Sequence, residues 1–364
     1  MTITIPTLPI PLIGAIVMTW LGLRAWRAGR SGPLFLSLIA ICAWQSAVIA
    51  LHHHYGLLWL RGVQPVGAAL IPPLAWLALQ DSGIRAVRPR DAVHLWPPIT
   101  VLVTLALWPL AIDAIILLAF LGYGAAILIV LRHGSDALPR SRLQGGDHAA
   151  RLWRLIGAGL ILSSLSELLI IAAFTSGHSG WVGWIIGGYS AGSLLAIGVL
   201  SLSTALTAVS TPNTETPDTE AAPRNSAPLD SPEQTADDTA LVARLHDLLA
   251  REPLYHDPDL TLARLGRRLG VPAKTLSAAI NRQTGENVSR FINALRIAEV
   301  CERLRAGANI TDAMLESGFN TKSNFNREFR RVTGLSPSEW RETVAFSLPH
   351  AAPLPIPGLR QTRG

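Results

Sequence analysis

Apolar and polar residues are segregated along this chain, and that segregation constrains its fold more than any other feature. Six acidic residues fall in positions 1–206 and nineteen in 207–364, although charged residues make up only 15% of the whole chain. About 20 consecutive apolar residues are enough to cross a bilayer as a helix. Seven stretches approach that length: 8–27, 33–51, 61–80, 93–110, 114–131, 153–174 and 181–206. We therefore predict an all-α fold in which 1–210 form a seven-helix transmembrane domain.

Arginine is unevenly distributed among the connectors between these stretches. Cytoplasmic connectors of bacterial membrane proteins collect Arg and Lys. Here alternate connectors hold eleven arginines, whereas the others hold only Arg61. With an odd number of spans, this predicts a multi-pass protein of the bacterial inner membrane, with the N-terminus outside and the C-terminal domain in the cytoplasm. Prolines at 72, 73, 97 and 98 interrupt two stretches and leave a span count that differs by one open. The eleven are Arg24, Arg27, Arg30, Arg85, Arg88, Arg90, Arg132, Arg140, Arg142, Arg151 and Arg154.

Residues 211–238 separate the apolar part from a polar C-terminal part. They are rich in proline, threonine and acidic residues and cannot form an apolar face. We predict a disordered linker there, with a span of roughly 30 Å. The C-terminal domain is then expected over 239–345, and 346–364 are expected to form a disordered tail.

The C-terminal part contains two helix-turn-helix patterns. In the first, DLTLARLGRRLGVPAKTLSAAINRQTG, we expect Gly270 at the turn and Pro272 at the opening of the next helix. In the second, NITDAMLESGFNTKSNFNREFRRVTGLSPSEWR, we expect Gly318 at the turn and Asn320 as the cap. The segment VSRFINALRIAEVCERLRAG joins them and predicts a helix of about 18 residues, roughly 27 Å long. Such a strut can place two recognition helices in successive major grooves of one DNA duplex.

Residues 253–341 resemble the double helix-turn-helix DNA-binding domain of the AraC/XylS family of bacterial transcription regulators. The resemblance rests on the spacing of the turns, on Arg296, Ala298 and Leu304 of the connecting helix, and on the closing run GFNTKSNFNREFRRVTGLSPSEWR. It covers about a quarter of the chain. It implies binding to double-stranded promoter DNA and control of transcription through contact with RNA polymerase. Pro272 departs from the capping serine that is usual in the family. Three further positions depart from the usual pattern: Ala313, Met314 and Ser317.

Side chains on and after the two recognition helices are candidates for DNA contact. Ammonium, guanidinium and amide groups pair with base edges in the major groove, so Lys322, Asn326 and Arg327 are expected to read bases. The arginines that follow them are expected to meet phosphates, and the first recognition helix is expected to position more than it specifies. An ordinary solvated charged face is the alternative for each. The candidates are Lys274, Ser277, Asn281, Lys322, Ser323, Asn326, Arg327, Arg330, Arg331 and Arg341. In such domains the position of Arg296 is usually structural, so it is not among them.

One ionisable residue, Glu167, falls clearly within a predicted span, where charge is costly and marks a functional candidate. At 1.5 Å per residue, Gln45 and Tyr189 fall at about the same depth. The three side chains could line a pocket for a small-molecule or membrane signal, or they could hydrogen-bond to one another between helices. No cofactor or metal is expected. His52, His53 and His54 are adjacent on one helix and point about 100° apart, so they cannot all reach one ion.

Three functional hypotheses fit the sequence. The favoured one is a membrane-embedded, sequence-specific transcription regulator that is not an enzyme, whose membrane domain senses a signal or anchors the DNA-binding module and allows it to form a homodimer. The second is a membrane transporter or enzyme with a regulatory DNA-binding appendage. The third is a latent factor that proteolysis of the linker releases from the lipid bilayer.

Overall fold

A computed structural model of the chain describes residues 9–29, 31–143, 148–189, 192 and 232–346. Within those residues the regular structure is helical, apart from one isolated antiparallel bridge between Arg142 and Thr261. The prediction of an all-α fold is confirmed. The chain divides into two compact units: Met1–His133 with Ala150–Ser201, and Gly134–Ala149 with Leu202–Gly364. The second unit therefore includes a short segment that lies, in sequence, between two helices of the first.

The first unit is built from long apolar helices joined by short connectors, which include 3-10 segments and the π-helical turn Gln80–Ile84. The helices are α1 (Ile10–Arg27), α2 (Pro33–His53), α3 (Val63–Leu79), α4 (Trp96–Leu107), α5 (Ile112–Val130) and α6 (His148–Thr175). A further helix, α7, begins at residue 182 and is described as far as residue 189. Within the described part of the chain, four helical stretches are long and apolar enough to cross a membrane: Pro33–His53, Leu58–Ile84, Pro109–Val130 and Ala149–Thr175.

The fourth predicted span is shorter in the structure than the sequence suggested. The α-helix α4 has 12 residues, which corresponds to about 18 Å. Trp108 leaves the helical conformation (φ −151°, ψ 74°) because it precedes Pro109, and a residue before proline is pushed towards extended backbone. The seventh predicted span, 181–206, lies mostly outside the described residues. The count of seven spans therefore stays a prediction.

Helices α5 and α6 approach each other closely through a pair of glycines. A Cβ added to Gly124 would lie 2.9 Å from the carbonyl oxygen of Gly157, and one added to Gly157 would lie 3.2 Å from that of Gly124. Beside this contact, the Ser164 hydroxyl donates to the Leu117 carbonyl at 3.3 Å. Small residues where two helices cross let their backbones approach closely. Such close packing stabilises a helix pair when the hydrophobic effect contributes little to its association.

The second unit begins with α8 (Pro232–Arg251), α9 (Leu262–Leu269), α10 (Ala273–Thr284) and α11 (Val288–Arg305). These four helices enclose an apolar core in which Leu245, Leu265 and Ile280 are fully buried. Helix α8 starts at Pro232, so its first seven residues overlap the predicted linker. Asp238, in its second turn, has a buried carboxylate that pairs with Arg282 of α10 at 2.5 Å and joins this part of α8 to the domain. Residues 211–231 of the predicted linker lie outside the described part of the chain.

The other half of the second unit contains α12 (Ile310–Glu316), α13 (Lys322–Thr333) and α14 (Pro337–Phe346). Its core is aromatic: the rings of Phe325 and Phe329 lie 5.5 Å apart between centroids, and Trp340 packs edge-on against Phe329 at 6.1 Å. Helix α11 serves both cores, since Phe291 is buried in the first and Val300 in the second. Its 18 residues confirm the predicted strut.

Candidate nucleic-acid interface

The first helix-turn-helix consists of α9 and α10. The hydroxyl of Thr261 caps α9 by accepting a hydrogen bond from the backbone N–H of Arg264 at 3.2 Å. The helix ends at Gly270 in the left-handed conformation (φ +71°), and α10 begins after Pro272, as predicted. Helix α10 then presents Lys274 and Asn281 to solvent.

The structure corrects one expectation on this helix. Ser277 was expected to face outward, but it is 8% exposed and its hydroxyl donates to the carbonyl of Lys274 at 3.3 Å. The reason is helical spacing, because residue 277 lies one turn before the buried Ile280 and shares its face. Thr275 is exposed at the N-terminal end of α10, and sequence inspection did not single it out.

The second turn is tightly constrained by its surroundings. Gly318 has φ +90°, and a Cβ there would lie 2.5 Å from the carbonyl oxygen of Tyr255 and 2.8 Å from that of His256. Only glycine fits both the conformation and the space. The expected cap is wrong, since Thr321 rather than Asn320 occupies the N-cap position of α13, without a side-chain capping bond.

Helix α13 has an apolar inner face and a polar outer face. Phe325 and Phe329, four residues apart, are buried in the second core. On the outer face Ser323 is half-buried, and the exposed residues are Lys322, Asn326, Arg327 and Arg330. The Arg327 guanidinium donates to the Asn324 side-chain oxygen, and its Nε lies 3.5 Å from a carboxylate oxygen of Glu328. These contacts hold the Arg327 side chain in one orientation against the surface of α13.

Arg331 is engaged by other parts of the domain. Its Nη1 lies 2.9 Å from Glu286, its Nε lies 2.9 Å from Glu328, and its Nη2 donates to the carbonyl of Arg290 at 3.1 Å. All three nitrogens therefore have acceptors within the protein. This arrangement favours a structural joint between α13 and the start of α11 over a phosphate contact. Arg341, on α14, is exposed.

Arg296 lies in the interior at the midpoint of the strut, consistent with the structural role expected for it. Its Nε donates to the carbonyl of Tyr255 at 2.6 Å, its Nη2 to that of Asp257 at 2.8 Å and its Nη1 to Asn293 at 3.2 Å. The guanidinium carbon also lies 5.7 Å from the centre of the Phe319 ring. Burial lowers the pKa of Arg296 to about 10, so the side chain remains charged at neutral pH.

The chain has only two lysines, and each lies in the first turn of a recognition helix. Lys274 is the second residue of α10, and Lys322 is the first residue of α13. A cation in the first turn of a helix is opposed by the helix dipole, so helix stability does not explain this placement. The N-terminal end of a recognition helix is the end that meets base edges and phosphates.

The polar side chains of the first unit that were expected to form a pocket have separate environments. The Gln45 amide donates to the carbonyl of Gln64 at 3.1 Å, and its oxygen faces Gly67 of α3. Glu167 of α6 is close enough to Asp113 of α5 to interact electrostatically with it. Tyr189 is half-buried in α7. No contact among the described residues brings the three together.

Sequence inspection did not find a different group of aromatic residues in the first unit. An open groove of about 250 Å³ is lined by Trp76, Trp96 and Tyr123, among others. His94 also lines it, and its Nδ1 lies 2.9 Å from the Tyr123 hydroxyl. The first and last of these residues, Trp76 and Tyr123, are 47 positions apart in sequence, and only folding brings them together.

Two helix-turn-helix units share one strut, and each has an exposed lysine in the first turn of its recognition helix. This arrangement defines a DNA-binding domain. Residues 265–343 match the family described as "Helix-turn-helix domain". The HTH-type transcriptional activator RhaS of Pectobacterium carotovorum subsp. carotovorum (strain PC1) is 28% identical over 93 residues, which is 25% of this chain. The match spans a third of that relative's length. No solved structure matches the chain significantly. The C-terminal domain is therefore a helix-turn-helix DNA-binding domain, and it is similar to part of an HTH-type transcriptional activator.

Proposed function

We propose that this chain is a membrane-embedded, sequence-specific transcription regulator of the bacterial inner membrane. The observation that carries the proposal is the union, in one chain, of this DNA-binding domain with a unit whose helices expose large apolar side chains. Leu107, Leu118 and Ile129 are each more than half exposed, as is Trp184. Soluble proteins rarely present apolar surface on that scale, whereas a bilayer would cover it.

The orientation follows from the arginines of the connectors. Eleven lie in the connectors, or in the helix ends beside them, that alternate with those holding only Arg61. Positive connectors stay cytoplasmic during insertion, which supports a C-terminal domain on the side of the chromosome. A multi-pass protein with its N-terminus outside satisfies this rule.

The recognition helix α13 is the principal reader of sequence in this proposal. Lys322, Asn326 and Arg327 supply donors and an acceptor that match guanine and adenine edges. Arg330 and Arg341 contact phosphates, and α10 positions the domain through Lys274 and its neighbours. We leave Arg331 out of the interface because its nitrogens already have protein acceptors.

The membrane domain is proposed to sense a signal or to anchor and dimerise the DNA-binding domain. The aromatic groove at Trp76, Trp96 and Tyr123 is a more coherent site for an apolar ligand than the dispersed Gln45, Glu167 and Tyr189. Regulation then proceeds through contact of the DNA-bound domain with RNA polymerase. The hypothesis of an enzyme or transporter with a DNA-binding appendage gains no specific support from the described residues.

The proposal is tested with the full-length protein in the bacterial membrane. Protease should remove a C-terminal tag from inside-out vesicles and not from intact spheroplasts. Crosslinking of full-length protein to the chromosome should recover defined sites, and an Asn326→Ala, Arg327→Ala double variant should lose them while remaining in the membrane. Tag cleavage in spheroplasts, or genomic sites occupied only by a shortened fragment, would overturn the proposal.

A further inference from the structure

The second unit contains a segment whose sequence position is unexpected. Residues 138–143 follow the 3-10 segment Leu131–Ala137 at the end of α5, and α6 begins at His148. They nevertheless belong to the unit of the DNA-binding domain. Leu143 is 5% exposed and is part of the same apolar core as Leu245 and Leu265. We call residues 138–143 the strap.

The strap is hydrogen-bonded along its length to the start of the first helix-turn-helix. The Leu143 N–H donates to the carbonyl of Leu260 at 2.9 Å, and the Ala263 N–H donates to the carbonyl of Pro139 at 2.9 Å. The buried hydroxyl of Ser289, at the start of α11, donates to the Leu143 carbonyl.

Side chains of the strap add to this pairing. Arg142 lies opposite Thr261 in the antiparallel bridge, and its Nε is 3.0 Å from a carboxylate oxygen of Asp259. Thr261 is also the cap of α9. The strap is therefore paired with the residues that fix where α9 begins.

The first helix-turn-helix is incomplete without the strap. Removing the strap would leave a cavity where Leu143 packs in the core, and the buried hydroxyl of Ser289 would lose its acceptor. The Ala263 N–H, in the first turn of α9, would lose its partner as well. A connector between two apolar helices thus supplies part of the fold of the DNA-binding domain.

We propose that the strap is an intramolecular coupling site through which movement of α5 and α6 changes the DNA affinity of the first helix-turn-helix. Both ends of the strap lead within a few residues into these helices, which touch at Gly124 and Gly157. In this proposal, a shift of α5 relative to α6 displaces the strap, weakens its hydrogen bonding to Leu260 and Thr261, and so destabilises the start of α9. The proposal rests on the proposed function in that α5 and α6 are taken to cross the membrane.

Disulfide trapping tests whether the strap is docked in the full-length protein. Residues opposite each other in an antiparallel pair have Cα atoms about 4.5–5.5 Å apart, within the range of a disulfide. We expect the Arg142→Cys, Thr261→Cys variant to crosslink efficiently in membranes under mild oxidation. A protease site inserted within 211–231 makes the crosslink visible, because the two fragments then stay joined until reductant is added.

The controls for trapping use the same chain. Arg142→Cys with Glu342→Cys, an exposed position on α14, should release separate fragments after cleavage. The single variants control for disulfides with Cys42 or Cys301. If the Arg142, Thr261 pair crosslinks no more than the Glu342 control, the strap is not docked and the proposal fails.

Hydrogen exchange and DNA binding test what the docked strap does. In full-length protein reconstituted in nanodiscs, Leu143→Ala should speed amide exchange in α9 at least tenfold and weaken promoter DNA binding at least fivefold. Arg140→Ala, at an exposed position of the same strap, is the matched control and should stay within twofold of the wild type. Equal behaviour of the two variants would overturn the proposal.

Coupling itself is tested by changing the bilayer. Lipids of different thickness alter helix tilt, so DNA affinity of the wild type should differ at least threefold between thin and thick nanodiscs. Leu143→Ala should reduce that difference to less than 1.5-fold, while a ten-residue flexible insertion within 211–231 should preserve it. No thickness dependence in the wild type, or its loss on lengthening the linker, would contradict the strap as the coupling element. Extraction of the protein by alkaline carbonate would instead defeat the membrane proposal and leave the trapping result standing.

Discussion

Arg331 of the second recognition helix and Glu286, which follows the first, form an ion pair with 2.9 Å between Nη1 and Oε1. The same guanidinium donates to the carbonyl of Arg290 in the first turn of α11. Glu286 comes directly after Gly285, which caps α10. The two recognition helices are therefore joined by a polar contact beside the strut as well as by the strut itself, and this contact helps to fix the angle between them.

The contrast between Arg331 and Arg341 yields a prediction about salt dependence. Replacing a residue that contacts phosphate lowers the slope of log affinity against log salt by about 1. We expect this change for Arg341→Ala and an unchanged slope for Arg331→Ala. DNA titrations of the full-length variants between low and high salt measure both slopes. Equal slopes for the two variants would contradict the assignment.

A second prediction separates base reading from anchoring on α13. Arg327→Ala should weaken binding to the target promoter by about 1–3 kcal/mol and leave binding to random DNA nearly unchanged. Competition between the two duplexes measures the difference. Equal losses on both would mean that Arg327 anchors rather than reads.

The two lysines allow a footprint without mutation. An amine-selective label can modify only Lys274, Lys322 and the N-terminal amine. We expect target DNA to protect Lys322 strongly from labelling, because the first turn of α13 enters the major groove, and to protect Lys274 as well. Mass spectrometry of digested protein gives the extent of labelling. Unchanged labelling of Lys322 in saturating target DNA would contradict the proposed interface.

Gly318 and Gly270 form a matched pair for testing the second turn. Both have positive φ, so alanine at either position costs about 1–2 kcal/mol for the left-handed backbone alone. Only at Gly318 would the added Cβ also collide with the carbonyls of Tyr255 and His256. Gly318→Ala should therefore destabilise the domain by at least about 1 kcal/mol more than Gly270→Ala. Amide exchange in α11 compares the two, and equal effects would show that the second turn is not packed as described.

We expect acid to destabilise the DNA-binding domain because of two histidines, His246 and His256. Burial lowers the pKa of His246, whose ring packs on Phe291, and also that of His256, despite the opposing effect of Glu299. Since these rings bind protons more readily in the unfolded chain, their contribution to stability is present above about pH 6.5 and is lost as pH falls below it. Unfolding monitored by amide exchange should show this loss between pH 7 and 5. His246→Leu should reduce it, and an unchanged profile in that variant would exclude His246 as a cause.

Local patterns in the sequence were sufficient to predict most of the DNA-binding domain. Gly270, Pro272 and Gly318 punctuate the helices as expected, and apolar spacing located α11 and the inner face of α13. The orientation of Ser277 and the partners of Arg331 were missed. The orientation of Ser277 depends on how far the buried face of α10 extends. The partners of Arg331 include Glu286, which is 45 residues away in sequence.

Contacts between segments far apart in sequence could not be predicted. Leu143 is separated from Ser289 by 146 positions, and nothing in the sequence around it indicates that it completes a distant core. Sequence alone places Leu143 in a connector because it lies between the apolar stretches 114–131 and 153–174. The aromatic groove has the same character, since only packing brings Trp76 to Tyr123.

The most direct test of the central claim asks whether promoter-specific DNA binding resides in the bilayer. Inside-out vesicles that carry the full-length protein are washed with alkaline carbonate, mixed with labelled target and random duplexes, and floated through a density gradient. We predict that the labelled target duplex floats with the lipid and that excess unlabelled target releases it. The labelled random duplex should not float with the lipid. Specific binding found only in the non-floating fraction would contradict a regulator that acts from the membrane.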